Sequence, residues 1–151
     1  SHGWFGGGMD VTPCFKDDKL KKWLHKSLQT MCNRHNKKYY KIYSNWCDEY
    51  FYLPHRKETR GIGGIFFDYK KNNFEKDFRF VRDVGLTFQL IFQKIIKKKV
   101  KKKWTIKDKE MQYLKRGRYT EFNLLYDRGT KFGLNTGGNV DAIFMSFPPL
   151  N

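Results

Sequence analysis

Asp10 ends the run Gly6-Gly7-Gly8-Met9-Asp10, close behind Trp4 and Phe5. A carboxylate among aromatic rings is expensive to desolvate unless it has partners, and its charge state becomes tunable. A phosphate loop is another use for such glycines. That reading fails here, because no Gly-Lys-Ser/Thr follows and no helix opens directly after the run. Asp10 is therefore either a working carboxylate or the cap of a turn.

His25, His35 and His55 are too scattered to make a metal signature by spacing. No Ser-His-Asp or Cys-His arrangement stands out, and no H-E-x-x-H occurs. Arginines beside glycines carry more information. His55-Arg56-Lys57-Glu58-Thr59-Arg60-Gly61 leads into one expected strand, and Arg116-Gly117-Arg118 leads into another. Asp127-Arg128-Gly129-Thr130-Lys131 leaves the second. Planar guanidinium forks at strand ends suit carboxylates. Local ion pairs with Glu58, Glu121 and Asp127 are the plainer alternative.

These groups need elements to hold them. Leu20, Trp23, Leu24, Leu28 and Met31 recur at helical spacing, and Asp17 or Asp18 caps the start. A second helix is expected from Lys41 to Leu53, stopped by Pro54. Gly61 to Asp68 reads as a buried strand, with glycines that admit another backbone closely. Phe74 to about Val100 reads as helix, with a break expected near Gly85, and a further helix spans about Lys107 to Leu114. Tyr119 to Arg128 alternates Phe122, Leu124 and Tyr126 against Glu121, Asn123 and Asp127, which predicts a strand. Ala142 to Phe147 reads as a short strand ended by Pro148-Pro149. Helices and strands intermix with few β-α-β units, so the expected class is α+β with a largely antiparallel sheet.

The chain of 151 residues fits one domain, spanning 1–151, with an unusually aromatic core. Three cysteines without a C-x-x-C pair argue against a disulfide framework and a zinc ribbon. No apolar run is long enough to span a membrane, and no secretory leader pattern opens the chain. The net charge of +16 attracts polyanions, and much of it sits between Lys94 and Lys103. That run lacks the aromatic interleaving of single-strand binders, so a solvated face is expected there rather than nucleic acid.

Several segments together resemble oxygen-dependent coproporphyrinogen III oxidase. They are Trp-Phe-Gly-Gly-Gly-Met-Asp-Val-Thr-Pro (4–13), Trp-Cys-Asp-Glu-Tyr-Phe-Tyr-Leu-Pro-His-Arg (46–56) and Arg-Gly-Ile-Gly-Gly-Ile-Phe-Phe-Asp (60–68). The stretch 116–134, from Arg-Gly-Arg-Tyr-Thr-Glu to Lys-Phe-Gly-Leu, and Met-Ser-Phe-Pro-Pro (145–149) follow in order. The resemblance weakens between Lys70 and Lys115.

The resemblance implies a reaction: two propionates of coproporphyrinogen III become vinyl groups, giving protoporphyrinogen IX in haem synthesis. Molecular oxygen is the co-substrate, no organic cofactor is implied, and a divalent metal has been proposed for some members. It implies a large, mostly antiparallel sheet flanked by helices on its faces, and a homodimer with contacts in 116–134. Asp10 matches the family's active-site aspartate, which faces the pyrrole N–H groups. Arg60, Gly137, Gly138 and Asn139 match substrate-binding positions. His25 and His55 match histidines suggested as metal ligands. Asn139 departs from the family's usual Arg and cannot make an ionic fork to a propionate; Tyr69 and Asp141 also depart, from Asp and Glu. The family carries further segments upstream and downstream, so the expectation is a central part of the enzyme, weakly active or inactive by itself. A cytoplasmic location is expected, with the mitochondrial intermembrane space as the alternative. Competing classes are a catalytically inactive assembly fragment and, less favoured, a basic nucleic-acid-binding domain.

Overall fold

A computed structural model describes residues 3–145 and 147. Strand β1 (Phe5–Asp10) is followed by helices α1 (Asp18–His35) and α2 (Tyr39–Tyr50). Two short strands, β2 (Tyr52–Leu53) and β3 (Glu58–Thr59), lead to β4 (Gly64–Lys70). Four helices complete the order: α3 (Phe74–Lys99), α4 (Ile106–Leu125), α5 (Arg128–Asn135) and α6 (Val140–Phe144). No helix among the described residues is long and apolar enough to cross a membrane.

The fold mixes helix and strand as expected, with antiparallel pairing throughout. The sheet is small, however: among the described residues it consists of the pairs β1–β4 and β2–β3. In the longer pair Met9 faces Ile65 and Asp10 faces Gly64. The backbones approach so closely there that a Cβ on Gly64 would lie 2.0 Å from the Met9 carbonyl oxygen. Only glycine fits that position.

One side of β4 presents Ile65 and Phe67 to the core, both almost fully buried. Leu24, Leu28 and Met31 meet them from one stripe of α1, whose start is fixed by Asp17 accepting from the Leu20 N–H at 2.9 Å. Phe80, Val84 and Ile91 come from α3. This helix runs straight through Gly85, where a break was expected. A mid-helix glycine costs about 1 kcal/mol. The core stripe on both sides of it, the Asn73 cap, and acids in its first turn with lysines in its last all favour continuity. On the other side of β4, Phe66 stacks on Tyr50 of α2 with centroids 4.6 Å apart. α2 ends at Tyr50, short of the Leu53 expected, because Tyr52 and Leu53 pair with β3.

Two expected strands are helical. Tyr119 to Leu125 belongs to α4, and the chain turns at Tyr126. Its alternation is compatible with helix, since Tyr119, Phe122 and Tyr126 also recur at helical spacing. A capping box settles the direction of the chain upstream: Thr105 Oγ1 accepts from the Asp108 N–H at 3.2 Å, and Asp108 accepts from the Thr105 N–H at 2.8 Å. Val140 to Phe144 forms α6, with Asn139 accepting from the Ala142 N–H as its cap, so the strand over Ala142–Phe147 is not formed there. Ser146 and Pro148-Pro149 lie outside the described residues.

Candidate active site

Asp10 is the last residue of β1, and its side chain is about a quarter exposed. Arg60 donates from Nη2 to Asp10 Oδ2 at 2.8 Å and from Nη1 to Asn123 Oδ1 at 3.2 Å. Its backbone N–H donates to the Phe51 carbonyl at 2.8 Å. Three rings enclose the guanidinium: Phe51 at 4.0 Å, Tyr119 at 4.7 Å and Phe122 at 5.0 Å. A desolvated cation over aromatic faces is held by both charge and packing. The second oxygen, Asp10 Oδ1, accepts no hydrogen bond among the described residues. The result is a carboxylate kept in place through one oxygen and open at the other.

The backbone beneath Asp10 is locked as well. Val11 and Gly63 join through the Val11 N–H and the Gly63 carbonyl, and the Ile62 N–H donates to Val11. His25 supports that loop. Its Nε2 lies 2.8 Å from the Ile62 carbonyl, which only accepts, so Nε2 carries the proton. Nδ1 lies 2.9 Å from the Tyr40 hydroxyl. Burial, aided by the charge of Asp48, raises the Tyr40 pKa and keeps the phenol protonated.

His55 stands apart, with Nδ1 2.8 Å from the Tyr126 hydroxyl and Nε2 2.5 Å from Glu121. Hydrogen bonds from Arg56 and His55 hold the Glu121 carboxyl below its ordinary value. Both ring nitrogens of His25 and of His55 are thus engaged by protein groups. Among the described residues no three of His, Cys, Asp or Glu gather as a metal-binding group. The thiols near the site are equally quiet: burial pushes Cys47 up to about 12, with the negative charge of Asp10 adding to the effect.

The structure therefore brings Asp10 and Arg60 together and places His25 behind them. It does not bring Gly137, Gly138 and Asn139 into that network. Gly137 has a positive φ of 72° in the turn between α5 and α6, where Gly138 donates back to Gly133 and Asn139 caps α6. Phe51, Tyr119, Phe122 and Asn123 escaped sequence reasoning, since nothing local marks a ring as the shelf for a distant guanidinium. The arginines pair with the expected acids across the fold rather than locally: Arg56 reaches Glu121, 65 residues on, and Arg118 reaches Glu58, 60 residues back. Arg60 likewise reaches fifty residues back, to Asp10.

Residues 1–151 match the family described as coproporphyrinogen III oxidase. The chain belongs to that family. It is 52% identical over 150 residues to a Rickettsia rickettsii (strain Sheila Smith) protein named oxygen-dependent coproporphyrinogen-III oxidase, covering 99% of this chain and 54% of that protein. Proteins of the same name from Rickettsia akari (strain Hartford) and Rickettsia bellii (strain OSU 85-389) are each 51% identical over the same shares. The chain spans about half the length of these relatives.

Proposed function

We propose that this chain supplies the ring-orienting part of an enzyme that oxidatively decarboxylates two propionates of coproporphyrinogen III. The observation that carries this reading is the Asp10 carboxylate, fixed through Oδ2 by an enclosed arginine and unpartnered at Oδ1. Oδ1 accepts hydrogen bonds from pyrrole N–H groups and orients the ring. A pyrrole proton passes to Oδ1, which leaves the ring electron-rich and neutralises the carboxylate beside it. Each propionate then loses carbon dioxide, a proton and two electrons, leaving a vinyl group, and molecular oxygen takes up the two electrons with two protons to become hydrogen peroxide. The substrate itself is the reductant, so the reading needs no organic cofactor.

His25 acts here as a positioning residue through the Ile62 carbonyl, and a metal role for His25 or His55 would require both to give up their present hydrogen bonds. Gly137 to Asn139 is proposed as a second substrate-contacting segment; Asn139 contributes a neutral amide where a cation is usual in the family. We also assign a homodimer contact to 116–134, on the support of exposed Leu124, Leu125 and Phe132. The chain acts as one domain, in the cytoplasm.

Activity is tested by anaerobic incubation with coproporphyrinogen III followed by oxygen, with porphyrins resolved by chromatography. Two proteins are compared: the 151-residue chain, and the same chain extended at both ends with the corresponding Rickettsia rickettsii segments. Protoporphyrinogen is expected from the extended protein. Asp10→Ala in that protein should lower turnover by roughly 30- to 1,000-fold, the equivalent of about 2–4 kcal/mol of lost transition-state stabilisation. Turnover within about threefold of the parent would remove Asp10 from the mechanism.

A further inference from the structure

A cavity of about 300 Å³ lies beside Arg60, between the segments 12–16, 58–62 and 115–118. Lys16, Lys115, Arg116 and Arg118 join Arg60 in its lining, with Glu58 as the single acid. Arg60 is paired with Asp10, Lys16 with Asp18 and Arg118 with Glu58, yet the lining stays rich in groups that bind anions, in a recess that only partly meets water. Pro13, Phe15, Leu53 and Ile62 supply apolar wall. Two lining residues, Thr12 and Arg60, carry buried polar atoms, Oγ1 and Nε, that no group among the described residues satisfies. Unsatisfied buried donors in a native site call for a partner.

The recess already displays the chemistry of that partner. Arg118 Nη1 donates to Glu58 Oε1 at 2.8 Å, so the fork is aimed to take a carboxylate. Gly61 lets two wall segments close on each other: a Cβ there would sit 2.4 Å from the Val11 carbonyl oxygen and 2.8 Å from Thr12 Oγ1. A volume near the lower end for ligand pockets takes one arm of a larger molecule rather than the whole.

We propose that this cavity is a subsite for an alkyl carboxylate arm, in which Arg118 exchanges Glu58 for the incoming carboxylate while Lys115 and the Thr12 hydroxyl complete its shell. Resting on the functional reading above, that arm is a propionate of the tetrapyrrole. Arg60 then borders two recognition elements, Asp10 for the ring and the cavity for a side arm. Glu58 serves as an internal stand-in that keeps Arg118 positioned when no ligand is present.

The test is binding of coproporphyrin III, the oxidised and unreactive form, to the 151-residue chain, followed by fluorescence alongside its tetramethyl ester. Folding of each variant is checked by near-ultraviolet circular dichroism. Arg118→Gln and Lys115→Gln should each weaken coproporphyrin binding about tenfold and leave the ester unaffected. Glu58→Gln should tighten it several-fold, an effect that a merely structural Arg118–Glu58 pair would not produce. Coproporphyrin binding that ignores all three substitutions overturns the subsite and leaves the functional reading standing. If coproporphyrin does not bind, sodium propionate is titrated while the amide resonances of Gly61 and Arg118 are followed. Saturable shifts, lost in Arg118→Gln, keep the carboxylate subsite and overturn its assignment to a tetrapyrrole. No shifts overturn both.

Discussion

Between Met9 and Ile91 the chain buries eleven residues in one continuous cluster, whereas α5 and α6 bury none. The first region is held by packing of α1, α2 and α3 around β1 and β4. The later helices are held mainly by their ends: Asp127 accepts from the Thr130 N–H at 2.7 Å to start α5, and Asn139 starts α6. α4 lies between these extremes, with Phe122 and Asn123 as its buried residues. The candidate site is assembled across this divide. Asp10 belongs to the densely packed region, while the clamp on Arg60 comes partly from Tyr119, Phe122 and Asn123 of α4. The orientation of the carboxylate therefore depends on both regions at once.

The contrast is sharpest in the core. Phe67→Ala should cost about 3–5 kcal/mol in chemical denaturation, since its ring lies among Tyr43, Phe80 and the α1 stripe. A loss under about 1 kcal/mol would mean the cluster is not cooperative.

The same region contains an ion pair, Lys70–Asp77 at 3.0 Å, nearly closed to water and roofed by Tyr39, Tyr43 and Phe80. Burial raises the Asp77 pKa, but the hydrogen bond from Lys70 and those from the backbone of Asn73 and Asn72 outweigh it, so the net shift is downward. A carboxyl depressed in the folded state adds stability above its unfolded value of 3.8, and loses it as pH falls through the lower folded value. Denaturation midpoints should therefore fall on acidification below about pH 4 and fall less steeply in Asp77→Asn. Parallel pH profiles for the two proteins would show that the acid response arises elsewhere.

At the seam between the regions, Thr105→Ala removes one half of the α4 capping box and should cost about 1 kcal/mol. Its informative readout is local. Amide exchange should quicken through the first turn of α4 while the α1 and α3 core amides stay protected. The smallest effect is expected at Phe132 in α5, whose ring is 70% exposed: Phe132→Ala should stay within about 0.5 kcal/mol in the monomer. A larger change that grows with protein concentration would place α5 in the proposed dimer contact.

What the sequence made legible divides along the same line. The helix beginning near Asp17 and the strand near Gly64 were readable because burial there follows one period and the caps are local. Tyr119 to Leu125 was not, because its apolar residues satisfy both alternation and helical spacing, and burial is too slight to choose between them. Thr105-Ile-Lys-Asp108 held a capping signal that favoured a helix, although it left the helix's length open. Asp10 was legible as a candidate from its aromatic, glycine-rich setting. Its union with Arg60 was not, since that pair depends on how β1 meets β4 rather than on any spacing along the chain.

The clamp on Arg60 has a further consequence for how the protein comes into being. Synthesis delivers Asp10 and Arg60 well before Phe122 and Asn123. At ordinary elongation rates roughly ten seconds separate Asp10 from Asn123 at the ribosome. During that interval the β1–β4 pair can form, yet the guanidinium still faces water on the side that α4 will cover. The carboxylate thus acquires its fixed orientation last, so a chain that stops before α4 holds the catalytic candidate without the grip that orients it.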